Sequence, residues 1–283
     1  MKKVIYPLLV LGLTSSVSAN LFTYDGFDEP VSPNAPTNWL PDAGDGASSL
    51  HGEVVSGSLS YTGLQDSVGN SFGLANRTAD YNYDVPDVTL AVGETVYFSF
   101  LLQSNVADTS WNGNFRLFND PDIFGNAISV GWGSANADDT NMGFSLNNRN
   151  RNYTHADSIQ TGENYSQTGT HLVVASFTLG SGNTNGELSL WINPSSATFG
   201  TSTPPTADVT IASYQAQDTY TSFEIVSNGS GSFPSDWQMD EFRVATDWAD
   251  VVPATVPEPS VYALMVGLLS MLVVARRRLS AAK

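Results

Sequence analysis

The segment Thr95-Val96-Tyr97-Phe98-Ser99-Phe100-Leu101-Leu102 is the clearest structural signal in the chain. Successive side chains of a β-strand point to opposite faces, so Val96, Phe98, Phe100 and Leu102 would share one face. The segment therefore predicts a strand that lies against a hydrophobic core.

Other short segments of this kind occupy the chain from residue 20 to residue 253. They are separated by Gly, Asn, Asp, Ser and Pro, and none has a sustained helical period. The further predicted strands cover residues 57–61, 115–118, 128–132, 142–146, 171–179, 188–192, 209–212, 223–226 and 239–244. So many short strands predict an all-β domain built from two packed antiparallel sheets.

Four segments carry a resemblance to a known family. They read FTYDGFD (residues 22–28), VYFSF (96–100), LSLWINP (188–194) and MDEFRV (239–244). In this order they resemble strands of the concanavalin A-like lectin/glucanase jelly roll, a group that includes laminin G-like domains. The resemblance implies a two-sheet antiparallel jelly-roll sandwich over residues 20–253, in which the first and last strands pair.

The N-terminus has the three-part layout of a secretory signal peptide. Lys2 and Lys3 precede an apolar run over residues 4–13, and small residues follow up to Ala19. We expect signal peptidase to remove residues 1–19 as an N-terminal signal helix. The domain would then be exported.

The C-terminus has three parts in a fixed order. Pro257, Glu258 and Pro259 lie in a linker over residues 254–260, an apolar helix is predicted over residues 261–275, and the basic tail over residues 276–283 begins with Arg276, Arg277 and Arg278. By the positive-inside rule this tail is cytoplasmic and the domain lies outside. The short apolar helix would cross the membrane.

These three parts resemble the PEP-CTERM sorting signal of Gram-negative bacteria. The resemblance implies that an exosortase recognises the Pro-Glu-Pro motif and cuts the chain near it. The mature protein would then reach the outer cell surface or the extracellular matrix. An ordinary single-pass membrane anchor remains the alternative.

Charge limits the possible ligands. Residues 20–253 contain 27 acidic residues, five arginines and no lysine, which gives this part a formal charge of −22. Such a surface repels phosphate backbones, so we expect no nucleic-acid partner, and it suits calcium or neutral ligands. The chain has no cysteine, which excludes disulfides and thiolate metal sites.

No catalytic motif is visible in the sequence. Glucanases that share the jelly roll carry a Glu-x-Asp-x-x-Glu strand, and this chain has no such segment. His51, His155 and His171 lack metal-ligand spacing, and no Gly-x-Ser-x-Gly motif occurs. The sequence therefore predicts that the protein is not an enzyme. Glycoside hydrolysis remains the alternative if carboxylates that are distant in sequence converge in space.

A structural calcium ion is the one cofactor that we expect. If the resemblance to the jelly roll holds, Asp25 or Asp28 on the first strand and Asp240 on the last could share the ion. The acidic loop over residues 136–141 is a second candidate.

Exposed aromatic residues next to amide groups would let the domain bind sugars. Trp111, Tyr153 and Trp39 lie in polar segments and are the candidate stacking residues. In contrast, Trp132, Trp191 and Trp237 lie in predicted strands and are expected to pack in the core. The main hypothesis is therefore an exported surface or matrix protein with a lectin-like domain that binds extracellular polysaccharide. The alternatives are a secreted glycoside hydrolase and a membrane-anchored structural protein.

Overall fold

The computed structural model describes residues 21–41, 52–74, 79–104, 111–118, 127–134, 141–149, 159–160, 165–166, 168–181, 186–214, 219–229, 237–255, 265, 267–273, 276 and 280. The predicted signal peptide and the Pro-Glu-Pro motif lie outside these residues, and both stay predictions.

The described residues include sixteen strands, the short α-helix α1, one 3₁₀ turn and the helical residues 267–273. The strands are β1 (Leu21–Asp25), β2 (Trp39–Pro41), β3 (Gly52–Val55), β4 (Ser71–Leu74), β5 (Ala79–Thr89), β6 (Thr95–Ser104), β7 (Trp111–Phe118), β8 (Ala127–Ser134), β9 (Asn141–Arg149), β10 (Ile159–Gln160), β11 (Tyr165–Ser166), β12 (His171–Thr178), β13 (Gly186–Ile192), β14 (Val209–Tyr214), β15 (Thr219–Gly229) and β16 (Trp237–Ala245). The helix α1 covers Trp248–Val251, and the 3₁₀ turn covers Ser196–Thr198.

The strands form two antiparallel sheets of eight strands each, which is the jelly-roll sandwich that the sequence predicted. The first sheet has the order β14-β13-β12-β6-β16-β4-β3, and β1 also pairs with β16. The second sheet has the order β10-β9-β8-β7-β15-β5-β2, and β11 pairs with β9. Strand β15 thus lies inside the second sheet, between β7 and β5.

The first and last strands pair, as the resemblance implied. Tyr24 on β1 lies opposite Arg243 on β16, and Asp25 lies opposite Phe242. This pairing places the start of the domain next to its last strand.

The main hydrophobic core lies between the two sheets. Val96, Phe98, Phe100 and Leu102 of β6 are at most 1% exposed and all belong to this core, which confirms the face predicted from their alternation. Phe115 and Phe223 of the second sheet pack against Phe98 with ring centroids 5.2 and 6.2 Å apart. Fully burying one such aromatic side chain contributes about 1.5–3 kcal/mol.

A second hydrophobic cluster covers the other face of the first sheet. Its strand positions are Leu101, Leu172, Val174, Trp191 and Ala245. Loop and helix residues complete it, namely Leu59, Leu64, Phe199, Trp248, Val251 and Val252. The first sheet is therefore covered by hydrophobic clusters on both faces at these positions.

One predicted strand was wrong, and one long strand was not predicted. Residues 57–61 form a loop, because Gly57 has a φ of +97° and the N–H of Leu59 is bonded to the Asp240 side chain. The long strand β5 was missed, because Pro86 and four polar residues within it lower the β-propensity of the segment.

Residues 267–273 are helical, and the described apolar side chains in this stretch are exposed. No helix among the described residues is both long enough and apolar enough to span a membrane. The two terminal helices expected from the sequence stay predictions.

Candidate functional site on the outer face of the second sheet

The outer face of the second sheet, meaning the face turned away from the inter-sheet core, carries polar residues in its interior. Phe223 and Ile225 on β15 are 0% exposed and belong to the core. Because side chains alternate along a strand, Ser222 and Glu224 on the same strand lie on the outer face. An acidic residue thus occupies an interior strand of this face.

Strand pairing gathers further acidic positions around Glu224. Glu224 lies opposite Asn82 on β5, while the neighbouring outer-face positions Ser222 and Val226 lie opposite Asp84 and Asp80. The alternating positions 80, 82 and 84 therefore share the outer face. Two carboxylate positions flank Glu224 diagonally.

The spacing of these positions suits acid–base chemistry. Diagonal cross-strand neighbours in an antiparallel sheet are about 7–8 Å apart. Glycosidases place their two carboxyl groups about 5–5.5 Å apart when they retain anomeric configuration and about 6.5–9.5 Å apart when they invert it. Glu224 and the positions of Asp80 and Asp84 are diagonal neighbours of this kind.

A basic position lies on the other side of Glu224. Arg116 on β7 is directly opposite Glu224 and is followed across the sheet by Ser129 on β8 and Asn147 on β9. One row of paired positions thus runs Asn82, Glu224, Arg116, Ser129 and Asn147. Side chains of these types are the ones that recognise sugar hydroxyls.

The centre of the outer face is shielded from water. Glu224 is 2% exposed and takes part in interactions, while Ser222 is 1% exposed and its Oγ has no hydrogen-bond partner within the described part of the chain. Most buried polar groups are hydrogen-bonded, so an unsatisfied hydroxyl requires an explanation.

Trp39 is not the exposed stacking residue that the sequence predicted. It is 1% exposed and packs on Phe27, Phe72 and Phe242 with ring centroids 5.5–6.1 Å apart. The reason is that β2 adds to the edge of the second sheet. Alternation then turns Trp39 into the core and leaves Leu40 57% exposed.

The other predicted aromatic residues have mixed outcomes. Trp111 is the first residue of β7, four positions before the core residue Phe115. Tyr153 lies outside the described residues. The roles of both residues stay predictions. Trp191 and Trp237 are 5% and 1% exposed, which confirms that they pack in the interior.

The structure does not bring Asp25 and Asp240 together as ligands of one ion. The Asp25 carboxylate accepts hydrogen bonds from the N–H of Phe27 (2.9 Å) and from Nε1 of Trp39 (3.1 Å), on the core side of β1. The Asp240 carboxylate accepts two 2.7 Å bonds, from the N–H groups of Leu59 and Glu241. Leu59 belongs to the cluster on the opposite face of the first sheet, so the two carboxylates serve different parts of the fold.

No other metal site is formed by the residues that the structure describes. Asp28 is exposed, and no described group of three or more acidic or histidine side chains could hold a metal ion. Nearly all of the loop over residues 136–141 lies outside the described residues. Calcium binding itself stays a prediction.

A buried polar network on β16 was not foreseen from the sequence. Glu241 is 1% exposed and has a φ of +54° where the register of β16 is irregular. Its carboxylate accepts a hydrogen bond from Tyr24 Oη (2.9 Å) and one from the N–H of Val68 (3.3 Å). Arg243 forms an ion pair with the same carboxylate and lies 4.7 Å from the centroid of the Tyr24 ring. Burial, followed by the Glu241 charge, raises the pKa of Tyr24.

Burial also changes the titration of two other side chains. It raises the pKa of Asp240 to about 8, because the charged form loses its hydration. It lowers the pKa of His171, whose Nε2 lies 2.6 Å from the carbonyl oxygen of Ser166 and whose Nδ1 lies 3.0 Å from Nδ2 of Asn193. A neutral imidazole that donates from Nε2 and accepts at Nδ1 satisfies both contacts.

Neither a family model nor a curated protein matches the chain. Solved structures do resemble its fold. An endo-β-1,4-glucuronan lyase from the fungus Trichoderma reesei is 14% identical, with a TM-score of 0.47 over 81% of this chain and 100% of the lyase. A family 16 glycosyl hydrolase from Mycobacterium smegmatis is 12% identical, with a TM-score of 0.46 over 79% and 99%. The lectin UEA-II complexed with galactose is 8% identical, with a TM-score of 0.44 over 80% and 98%.

These likenesses concern the fold alone, which is an antiparallel jelly roll. The prediction that the protein is not an enzyme is corrected, because the similar structures include glycoside hydrolases and lyases as well as a lectin. The prediction was wrong because it searched for carboxylates on one strand. Strand pairing sets acidic positions of β5 beside Glu224 on β15, which a search along one strand does not reveal.

Proposed function

We propose that the domain cleaves polysaccharide chains on the outer face of its second sheet. The observation that carries this proposal is the position of Glu224. It is a buried acidic residue on an interior strand, turned away from the core, with aspartate positions on one side and Arg116 on the other.

The roles of the residues follow from their neighbours. In this proposal Glu224 acts as the base or nucleophile, and Arg116 is the position directly opposite it on β7. Asp80 or Asp84, across the sheet, donates a proton to the leaving oxygen. Ser222 receives a hydrogen bond from a sugar hydroxyl or donates one to it. The amide positions of Asn82 and Asn147 hold sugar units on either side.

The experiment is to incubate the purified full chain with a panel of polysaccharides and to measure new reducing ends. We expect the wild type to release them and Glu224→Gln to lose rate by about 10²–10⁴-fold, the range for a residue that acts as general acid or base. Glu187→Gln is the matched control, because Glu187 is exposed on β13 of the first sheet. Binding of polysaccharide without cleavage by the wild type would contradict the proposal.

We also propose that the chain is exported and sorted through its C-terminal tail. The signal-like N-terminus and the order of Pro-Glu-Pro motif, apolar stretch and arginine cluster support this. In the native host, wild-type protein is expected to end near Pro257 outside the cell. A variant with alanine at positions 257, 258 and 259 should keep its tail, and retention of the tail by both forms would contradict the sorting proposal.

A further inference from the structure

We propose that His171, Asn193 and Leu172 form an acid-sensitive latch at one end of the first sheet. While the His171 ring is neutral, the latch holds the residue after β13 against β12. Protonation of the ring on acidification releases Asn193 and frees that end of the β12–β13 pairing. The latch lies on the first sheet, so it is separate from the outer face of the second sheet on which the proposed cleavage depends.

Asn193 extends the pairing of β12 with β13 by one step. The last ladder pair joins Val173 to Ile192. Beyond it, the N–H of Asn193 donates a 2.8 Å hydrogen bond to the carbonyl oxygen of Leu172. The N–H of Leu172 donates a 3.0 Å bond to Oδ1 of Asn193, so a side-chain oxygen takes the place of a backbone carbonyl there. Asn193 has a φ of +54°, a conformation that asparagine and aspartate tolerate better than most residues.

The N–H of Leu172 fixes the orientation of the Asn193 amide. A backbone N–H only donates, so the amide atom bonded to it has to be the oxygen. The amide nitrogen Nδ2 then points the other way, and it lies 3.0 Å from Nδ1 of His171. Because Nδ2 also only donates, Nδ1 has to accept and carries no proton.

The other ring nitrogen completes a neutral imidazole. Nε2 of His171 lies 2.6 Å from the carbonyl oxygen of Ser166, which only accepts, so Nε2 carries the proton. A second proton would go to Nδ1 and would set two donors against each other. If Asn193 turned its amide over to accept that proton, Nδ2 would meet the N–H of Leu172 instead. Either orientation leaves one pair of donors in conflict.

The surroundings of the ring do not compensate for a charge. His171 is 5% exposed, and the rings of Phe144 and Tyr165 contact it edge-on with centroids 5.8 and 5.6 Å away. Burial lowers the pKa of His171 below its ordinary value of 6.5. The described groups that face the ring are uncharged in the acidic range, and Tyr165 is the titratable one among them. They are Phe144 of β9, Tyr165 and Ser166 of β11, Leu102 of β6 and Asn193 after β13.

Protonation therefore acts on one side of the ring. Nε2 still donates to Ser166, so β11 keeps its bond to the first sheet. The contact with Asn193 breaks, and the N–H of Leu172 loses its acceptor. The chain beyond Asn193 leads to the 3₁₀ turn at Ser196–Thr198, where the carbonyl oxygen of Thr198 accepts a 3.0 Å bond from Nε1 of Trp248. Acid thus loosens the start of the segment that covers the first sheet.

The sign of the pH dependence follows from the direction of the pKa shift. The folded protein binds this proton less readily than the unfolded chain, so the contribution of the neutral ring is present above about pH 6.5 and is lost as pH falls. Asp240 titrates across an overlapping range with the opposite sign. A local measurement is therefore needed instead of the global free energy of unfolding.

The experiment is an NMR titration of the full chain in a mild detergent between about pH 8 and about pH 4, with labelled histidine rings and backbone amides. We expect the proton of His171 on Nε2 at neutral pH and protonation of Nδ1 only below the ordinary histidine range. Hydrogen exchange at the N–H of Leu172, corrected for the intrinsic effect of pH, should accelerate by about tenfold across this transition, the factor for one lost hydrogen bond. Amides at the centre of β12 should keep their protection.

Asn193→Asp is expected to reverse the effect. One carboxylate oxygen can accept from the N–H of Leu172 and the other from a protonated Nδ1, so the pKa of His171 should rise above its ordinary value and Leu172 should stay protected in acid. Asn34→Asp is the matched control. It adds the same charge at an exposed residue near β3, at the opposite edge of the first sheet, and should leave the titration of His171 unchanged.

Two results would overturn the latch. One is titration of His171 at the ordinary histidine value in the wild type, or at the same pH in the wild type and Asn193→Asp. The other is a lowered pKa of His171 without faster exchange at Leu172, because the ring would then be buried without holding Asn193. Neither result bears on cleavage of polysaccharide, which is measured separately.

Discussion

The hydroxyl of Tyr24 donates a 2.9 Å hydrogen bond to Oε1 of Glu241, which lies 217 residues further along the chain. The bond joins the first strand to the last, and the guanidinium of Arg243 lies over the same tyrosine ring. The N–H of Val68 also bonds to Glu241, so one carboxylate connects β1, β16 and a loop over the first sheet.

Tyr24→Phe tests the contribution of this bond to stability. The ring that faces Arg243 is kept, while a hydrogen bond to a charged group is removed. We expect the free energy of unfolding to fall by about 1.5–3 kcal/mol. Denaturant unfolding measures the change, and Tyr61→Phe, at a tyrosine packed on Phe199, is the control with a smaller expected effect. Equal changes in both variants would contradict a specific role for the Tyr24 hydroxyl.

The raised pKa of Asp240 leads us to expect that the free energy of unfolding depends on pH. Its pKa is raised from 3.8 to about 8 by burial, so between these values the folded state holds a proton that the unfolded state has lost. Its contribution to stability is therefore present at low pH and is lost as pH rises toward 8. Asp240→Asn should make the free energy of unfolding depend less on pH between 4 and 8. An unchanged slope would show that the carboxyl group is ionised in the folded protein.

Trp39→Ala tests the correction to the predicted sugar site. Loss of this buried ring should lower the free energy of unfolding by about 3–5 kcal/mol, because a large cavity remains in the core. Leu40→Ala is the matched control, since Leu40 is 57% exposed and a change of at most about 0.5 kcal/mol is expected there. If Trp39→Ala kept full stability but lost polysaccharide binding, the original stacking prediction would be restored.

Ser222→Ala separates stability from function. The substitution removes a buried hydroxyl that has no partner among the described residues, so stability should stay the same or rise by up to about 1 kcal/mol. Binding of the cleaved polysaccharide should weaken by about tenfold if a sugar hydroxyl bonds to Ser222, which corresponds to about 1.4 kcal/mol. Thermal unfolding and titration calorimetry on the same preparation measure both quantities. Unchanged affinity would remove Ser222 from the site.

Much of the fold was predictable because single strands carry the pattern. Alternation in β6 identified its buried face, and similarity of the end segments identified the pairing of β1 with β16. The strand β5 also contained a signal, since Tyr81 and Tyr83 alternate with polar residues. That signal was missed because aspartates and a proline dominate the local composition.

The candidate site was harder to predict because it depends on register. Glu224 and Asp80 are far apart in sequence and meet only when β15 pairs with β5. The hydrogen bonds of Asp25 and Asp240 were unpredictable for the same reason, since their partners Trp39 and Leu59 come from distant segments. Local composition identified acidic residues but not which of them would be buried.

The central claim is that Glu224 performs chemistry on a polysaccharide bound to the outer face. The most direct measurement compares cleavage and binding for wild type and Glu224→Gln on the same substrate. We predict that the variant loses cleavage by at least about 10²-fold while its dissociation constant changes less than about tenfold, because the amide keeps the shape of the site. Full cleavage by the variant, with folding intact, would contradict the account.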